Sequence, residues 1–336
     1  MNFLLITLLA ILICVFNFYL NKHNFLLSYT GDKHQKFTTK EKIPLTGGIF
    51  LLISFLLIFF NNLELFFSLT LLFSLGLSSD LKILNSPKFR FLLQLIILFS
   101  SIYFLNLEIK NTRIILLDSL LHNNFFSYFF VVFCVLILVN GTNFIDGLNT
   151  NVLGYYLIVS FFIFSHDLYE LLEIERKAWL SWIFCLSLLY LLNFFKQLFI
   201  GDSGAYFLGF FYAYFLIKIF SIDTTISPFF IILLLWYPCF EILFSIIRKL
   251  NFNKSPLSPD NRHFHQVVYL FIKKLTKKNK INSNTLSANI INFYNLIIIF
   301  LGSVNIYNSQ YQIFLIIINI ILYIFIYLRI RDTINK

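Results

Sequence analysis

Residues 126–143 have the sequence FSYFFVVFCVLILVNGTN, an apolar stretch without a charged side chain. A membrane-crossing α-helix needs roughly 20 predominantly apolar residues, so this stretch predicts such a helix. Ten similar stretches lie elsewhere in the chain. The complete set of predicted spans is 2–20, 43–60, 63–78, 89–107, 126–143, 151–165, 178–194, 203–220, 226–247, 288–304 and 309–329.

The composition indicates the same class of protein. Hydrophobic residues make up 59% of the 336 positions and charged residues 12%, a balance that a soluble domain of this size could not cover with polar surface. We therefore expect an all-α, polytopic membrane helix bundle of about 10–11 transmembrane helices. Residues 1–336 are expected to form a single integral membrane domain, and residues 2–20 a retained anchor rather than a signal peptide.

The basic residues indicate how the bundle is oriented. One side of the predicted spans, including the C-terminus, carries 21 of the 26 Lys and Arg residues. The positive-inside rule then places the N-terminus outside and the C-terminus in the cytoplasm. Residues 251–287, the longest polar connection, become a cytoplasmic loop. The net charge of +10 is explained by this bias and by anionic lipid, so no nucleic-acid partner is expected.

Polar side chains follow the 126–143 stretch at a regular interval. Asn140, Asn143 and Asp146 recur every third residue, which places them along one side of a helix, and Gly147 is suited to end that helix. Polar groups at this depth need partners. The row predicts a ligand site, while the alternative is a helix cap with interhelical hydrogen bonds.

Two further acidic residues lie at predicted span ends on the basic side. Asp202 precedes the eighth span, where free helix amides and a carboxylate could bind an anion and Mg²⁺. The alternative is that Asp202 or Ser203 simply caps that helix. Asp80 ends the third span and could instead be a solvated charge at the membrane interface.

Two histidines lie two positions apart in the 251–287 segment. In an extended segment His263 and His265 would lie on one side, suited to a nucleotide diphosphate together with Asp260 and Arg262. Surface histidines without a function are the alternative. A zinc site is less favoured because no Cys or third His is near in sequence, and the four cysteines lie in apolar stretches as packing residues.

Four motifs of the chain, in this order, resemble those of the polyprenyl-phosphate N-acetylhexosamine-1-phosphate transferases of glycosyltransferase family 4. The family includes phospho-N-acetylmuramoyl-pentapeptide transferase and the GlcNAc-1-phosphate transferases that begin surface polysaccharides such as lipopolysaccharide O-antigen. The motifs are PLTGG at 44–48, NxxNxxDGxN at 140–149, FIGDSGAYFLG at 199–209 and SPDxxHxH at 258–265. The sequence WYPCFE at 236–241, with Arg248, is more similar to the surface-polysaccharide branch.

The resemblance implies an enzyme with a particular reaction. N-acetylhexosamine-1-phosphate would pass from a UDP-sugar to undecaprenyl phosphate, with release of UMP and a requirement for Mg²⁺ or, alternatively, Mn²⁺. It also implies a multi-pass protein of the bacterial inner membrane with its active site facing the cytoplasm. A homodimer is a possible assembly.

The resemblance also implies roles for individual residues. Asp202 corresponds to the magnesium-binding aspartate, and Asp80 to an acid that positions or deprotonates the lipid phosphate. The other implied positions are Asn140, Asn143, Asp146 and Asn193 at the nucleotide, His263 and His265 at the phosphates with Asp260 and Arg262 in the same motif, and Lys36 near the lipid phosphate. The chain departs from the family pattern at Ser79, the first position of the acidic pair, and at Thr38, Gln197 and Glu241.

A transporter or lipid flippase is the alternative function, because polar residues inside a membrane also mark transport paths. Transporters place such residues near the bilayer midplane and often have repeated halves. Here the polar clusters lie at span ends and no internal repeat is present. A receptor or scaffold would leave the Asp, Asn and His clusters unexplained, so the sequence favours the enzyme.

Overall fold

The computed structural model describes residues 2–28, 42–251, 253, 262–276 and 283–335. These residues form α-helices and one 3₁₀ turn, without a β-strand, which confirms the predicted all-α fold. The helices are α1 (Asn2–His23), α2 (Gly47–Ile58), α3 (Leu63–Asp80), α4 (Pro87–Phe104), α5 (Ile115–Leu121), α6 (Asn124–Ile145), α7 (Asn151–Ser165), α8 (Arg176–Phe194), α9 (Gly201–Ile222), α10 (Pro228–Leu234), α11 (Trp236–Asn251), α12 (Phe264–Leu275), α13 (Ser283–Ser303) and α14 (Ser309–Asn335).

Eight of these helices are long and apolar enough to cross a membrane: α1, α3, α4, α6, α8, α9, α13 and α14. The pair α10 and α11 would make a ninth crossing if it forms one bent span. The predicted spans 43–60 and 151–165 correspond to α2 and α7, which have only 12 and 15 residues. The polytopic helical architecture is therefore confirmed, with two of the predicted spans shorter than a full crossing.

The predicted span 226–247 was wrong in being drawn as one continuous helix, because the chain bends by 79° between α10 and α11. Pro238 has no N–H to donate to the carbonyl of Leu234, four residues earlier, and its ring would clash with that carbonyl in a straight helix. The hydroxyl of Tyr155 donates to the Leu234 carbonyl instead, at 2.7 Å. A proline and a buried tyrosine thus account for the bend.

The interpretation of 251–287 as a polar loop was also wrong in part. This segment contains α12, and α13 already begins at Ser283. Val267, Val268 and Ile272 form a buried face on α12, which packs against α13 and α14. Burial of this apolar stripe explains why residues 264–275, which include Lys273 and Lys274, are helical.

The first turn of α9 lies where α2, α3 and α6 come together, and most side chains of α9 are buried. Gly76 of α3 makes the closest approach, because a β-carbon there would lie 2.5 Å from the Cα atom of Ser203. Small residues allow helix backbones to come this close in membrane proteins. This contact places Asp80, one turn after Gly76, beside the start of α9.

Candidate active site

A cavity of about 1340 Å³ opens among the ends of α3, α4, α6, α9, α11 and α12. Side chains that are far apart in the sequence line this one space. The polar residues among them include Ser79, Asp80, Arg90, Gln94, Asn140, Asn143, Asp146, Asn193, Asp202, His263 and His265. The structure thus brings together most of the residues that the sequence analysis selected.

Asp80 holds the first turn of α9. Its Oδ1 atom accepts a hydrogen bond from the backbone amide of Asp202 at 2.9 Å. Its Oδ2 atom accepts from the amide of Ser203 at 3.1 Å and from the Ser203 hydroxyl at 2.7 Å. A carboxylate from α3 therefore satisfies amides of α9 that have no partner within the helix, in place of the predicted alternative of a cap by Asp202 or Ser203.

Asp202 lies in the first turn of α9 with its carboxylate at the cavity. Its Oδ2 atom accepts from the hydroxyl of Ser79 at 2.6 Å and forms an ion pair with Nη1 of Arg90 at 2.7 Å. Its Oδ1 atom accepts from Nδ2 of Asn143 at 2.7 Å. Three neighbouring helices thus fix the orientation of this carboxylate.

The row on α6 has the predicted placement. Asn143 contacts Asp202, while Asn140 donates to Gln94 Oε1 at 3.0 Å, so part of the row makes interhelical hydrogen bonds. Asp146 is the C-cap of α6 and lines the cavity. Packing as well as the helix end requires a glycine at position 147, because a β-carbon there would lie 2.2 Å from Nε2 of His265.

Asn193 supports the cavity wall with both of its polar atoms. Its Oδ1 atom accepts from the amide of Thr150 at 2.5 Å, and its Nδ2 atom donates to the carbonyl of Leu198 at 2.9 Å. Both contacts are to backbone of the loops that border the cavity. Asn193 therefore fixes these loops in addition to lining the space next to them.

The two histidines lie at the start of α12 rather than in an extended segment, which corrects the predicted local structure. His263 is the N-cap residue of α12, and its amide donates to Oε1 of Gln266 at 3.2 Å. The rings of His263 and His265 are nearly parallel, with centroids 5.7 Å apart. The expected side-by-side placement is therefore present, produced by a helix N-terminus.

His263 and His265 differ in their surroundings. His263 Nδ1 lies 3.0 Å from Oε1 of Glu241, a carboxylate that is fully buried. His265 is 1% exposed, and burial lowers its pKa to about 3, so its imidazole is neutral at physiological pH. Both rings line the cavity.

Arg262 does not line the cavity in the described part of the chain. Its carbonyl accepts hydrogen bonds from Arg248 Nη1 at 2.5 Å and from the Tyr327 hydroxyl at 3.0 Å, so its backbone anchors the entry to α12. Lys36 and Asp260 lie outside the described residues, as does Thr38.

The roles of Arg90 and Glu241 were not predicted from the sequence. Both are charged residues inside stretches that were predicted as spans, 89–107 and 226–247. Such a residue must face a partner or a polar cavity, and it marks a functional site by default. Arg90 indeed pairs with Asp202, and Glu241 contacts His263.

The arrangement has oxygen ligands for one cation but no preformed metal cage. Among the residues that the structure describes, no group of three or more His, Cys, Asp or Glu side chains could hold a metal ion. Mg²⁺ commonly uses one or two carboxylates and completes its shell with substrate phosphates and water. The Asp202 carboxylate, with Asp146 in the same cavity, fits an ion that is bound together with a phosphorylated ligand.

A model of glycosyl transferase family 4 matches residues 62–220, the segment that contains Asp80, the α6 row and Asp202. The match covers 159 of the 336 residues, so the chain is similar to this family over just under half of its length. It is also 28% identical over 236 residues to an undecaprenyl-phosphate alpha-N-acetylglucosaminyl 1-phosphate transferase of Thermotoga maritima, an alignment that covers 70% of each protein. The eight long apolar helices and the similarity to glycosyl transferase family 4 together support a multi-pass membrane protein.

The match to glycosyl transferase family 4 covers the residues on one side of the cavity. Its boundaries enclose α3, α4, α6, α8 and most of α9, whose ends form one side of the cavity. The helix α12 with its two histidines lies beyond residue 220 and completes the other side. The site is thus composed of the matched segment together with later residues and with Leu27, Ser28 and Leu45, which precede it.

Proposed function

We propose that this protein transfers N-acetylhexosamine-1-phosphate from a UDP-sugar to undecaprenyl phosphate, releases UMP and so begins a lipid-linked surface glycan. The observation that carries the proposal is the dual character of the cavity. One end holds the carboxylates, amides and imidazoles. The other end is lined by apolar side chains of α4 and α6, among them Phe99, Phe129 and Phe133.

A cavity of this kind suits two substrates of different chemistry. The aromatic side chains Phe99, Phe129 and Phe133 are partly exposed between α4 and α6, where an isoprenoid chain could lie against them. The phosphate of the lipid would then reach the polar end, where the nucleotide sugar binds from water. A transporter would not require a paired polar and apolar space at one end of the bundle, which favours the transferase.

The reaction exchanges one phosphoanhydride bond for another. An oxygen of the lipid phosphate bonds to the β-phosphorus of the donor, and the bond from that phosphorus to the oxygen bridging the α-phosphate breaks, so UMP leaves with that oxygen. A phosphate monoester has a second pKa of about 6 and is mostly a dianion at neutral pH. The attacking group therefore needs no strong base, in agreement with the supporting role of Asp80.

The protein contributes position and charge to this step. Asp202, oriented by Asn143, would hold Mg²⁺, which neutralises charge on the diphosphate when bound. His263 presents its Nε2 atom to the cavity because its Nδ1 atom contacts Glu241. His265, being neutral, can share a single ring proton with a substrate oxygen.

The proposal is tested by incubating membranes that contain the protein with undecaprenyl phosphate and a panel of labelled UDP-N-acetylhexosamines. We expect one donor to give a labelled lipid diphosphate sugar together with UMP in equal amount. Mn²⁺ should replace Mg²⁺ at least in part, and a chelator should stop the reaction. Absence of lipid-linked product with every donor would contradict the proposed function, and the identity of the active donor would assign the glycan branch.

We also propose that the protein lies in the bacterial inner membrane with this cavity facing the cytoplasm. The predicted spans place 21 of the 26 Lys and Arg residues on the same side as Asp80, Asp146 and Asp202, and this bias supports the orientation. Two reporters are fused in turn after Lys336, one active only in the cytoplasm and one active only in the periplasm, and we expect only the first to be active. The fusion avoids α13, where the Asn284 side chain accepts from the Asn149 amide at 2.7 Å and an insertion would disturb the cavity wall. A periplasmic reporter signal would reverse the orientation.

A further inference from the structure

The Asp202 carboxylate already carries a positive partner in this protein. Nη1 of Arg90 lies 2.7 Å from Oδ2 of Asp202, and the two side chains are 26% and 28% exposed. The hydroxyl of Ser79 and the guanidinium of Arg90 both donate to this same oxygen. Ser79 adds no charge, so Arg90 and Asp202 together form a pair without net charge.

The guanidinium of Arg90 uses only part of its hydrogen-bonding capacity. Its contacts to Ser79 and Asp202 are both made by Nη1. The Nε atom is buried and has no hydrogen-bond partner among the described residues. An arginine committed to a carboxylate commonly binds it through two parallel N–H groups, so this single-nitrogen contact is one that another anion can replace.

We propose that Arg90 competes with the divalent cation for Asp202, so that the cation binds tightly only when a diphosphate takes over the guanidinium. This inference rests on the proposed function and concerns the order in which its ligands bind. A divalent cation beside the neutral pair gains little, because the attraction of Asp202 is offset by repulsion from Arg90. A bound diphosphate would attract both the cation and the Arg90 guanidinium, so it would favour the cation at Asp202.

Among the described residues, Asp202 is the carboxylate of the cavity that forms an ion pair with Arg90. Asp80 uses both of its oxygens at the start of α9. Asp146 lies one turn beyond Asn143 on α6, at the helix end. Asp202 therefore remains the carboxylate that Arg90 neutralises, and the pair sets the affinity for a cation in the absence of substrate.

The test measures Mn²⁺ binding to the purified full-length protein in detergent, from the electron paramagnetic resonance signal of free Mn²⁺ and without nucleotide. We expect Arg90→Gln and Arg90→Met to bind Mn²⁺ at least about tenfold more tightly than the unmodified protein. Arg90→Lys, which keeps the charge, should change the affinity by less than about threefold. Arg90→Met keeps the apolar stem and serves if the glutamine variant does not fold.

Two controls make the result specific. Lys88→Gln removes an exposed positive charge from the same turn of α4 and should leave Mn²⁺ affinity unchanged. Asp202→Asn combined with Arg90→Gln should abolish the gain. Addition of UDP should tighten Mn²⁺ binding in the unmodified protein more than in Arg90→Gln.

The outcomes separate this inference from the proposed function. Equal or weaker Mn²⁺ binding by both uncharged Arg90 variants would overturn the competition. Tighter binding in those variants, in a protein that transfers no sugar phosphate from any donor, would support the competition while contradicting the transferase activity.

Discussion

The Nδ1 atom of His263 lies 3.0 Å from the Oε1 atom of Glu241, and the same oxygen accepts the backbone amide of Phe264 at 3.1 Å. The other carboxylate oxygen of Glu241 accepts from the hydroxyl of Tyr323 on α14. One buried side chain on α11 thus sets the position of the histidine and of the first turn of α12. Helices α11, α12 and α14 are joined at this point.

We predict that Glu241→Gln reduces sugar-phosphate transfer by about 10–100-fold, the usual effect of removing a carboxylate that orients an active-site histidine. The glutamine side chain has a single oxygen. It can accept from the Phe264 backbone amide, but its NH₂ group cannot accept from the Tyr323 hydroxyl as the second carboxylate oxygen does. Initial rates in membranes measure the effect, and Glu64→Gln, an exposed change on α3, is the control. Full activity of Glu241→Gln would mean that the orientation of His263 does not depend on this contact.

Asp202→Asn should lower the transfer rate at least about 100-fold, because it removes the charge that would hold a cation at the diphosphate. The amount of protein in the membrane should stay the same, since the asparagine is isosteric. His263→Ala is expected to have a similar effect. The matched control is Asp332→Asn at the exposed end of α14. Near-normal rates for both site variants would contradict the assignment of the cavity as the active site.

Asp80→Asn is expected to lower stability and activity together. The change places an amide group against the N–H donors of Asp202 and Ser203, and an unsatisfied buried donor costs about 1–3 kcal/mol. The midpoint of thermal unfolding in detergent and the transfer rate should both fall. Ser203→Ala, which removes only the hydroxyl bond, should cause a smaller change in both. Lost activity with an unchanged midpoint would instead indicate a direct role of Asp80 in the reaction.

Arg113 joins three loops at the opposite face of the bundle. Its guanidinium donates to carbonyls of Thr225 at 2.7 Å and of Tyr307 at 3.0 Å, and to the hydroxyl of Ser309 at 2.8 Å. We predict that Arg113→Ala lowers the unfolding midpoint while the KM for the donor stays unchanged. Lys110→Ala, at a largely exposed side chain nearby, should leave the midpoint unaltered. An altered KM would show that this face communicates with the cavity.

The general architecture was predictable from sequence because apolar length alone specifies a membrane helix. Each predicted stretch, from 2–20 to 309–329, overlaps a helix in the structure. The α6 row was predictable for a similar reason, since the spacing of Asn140, Asn143 and Asp146 has a helical period. The spacing of residues along a helix is enough to show which side chains lie on the same side.

Other features depend on contacts that no local pattern contains. The bend before α11 depends on the Tyr155 hydroxyl, which donates to the Leu234 carbonyl in place of the N–H that Pro238 lacks. The helical state of α12 depends on burial of its apolar face against α13 and α14. The ion pair of Arg90 with Asp202 joins residues 112 positions apart, and sequence indicated only that a charge within a span needs a partner.

The bond between Asp80 and the amide of Asp202 spans 122 positions of the chain. During translation α3 leaves the ribosome long before α9. The Asp80 carboxylate therefore has no α9 amide to bind while α4 to α8 are inserted, and it stays hydrated at the membrane surface. Its hydration is given up only when the start of α9 arrives beside Gly76. We therefore expect the cavity to form late in biogenesis, and a nascent chain released before α12 would contain the carboxylate side of the cavity without its two histidines.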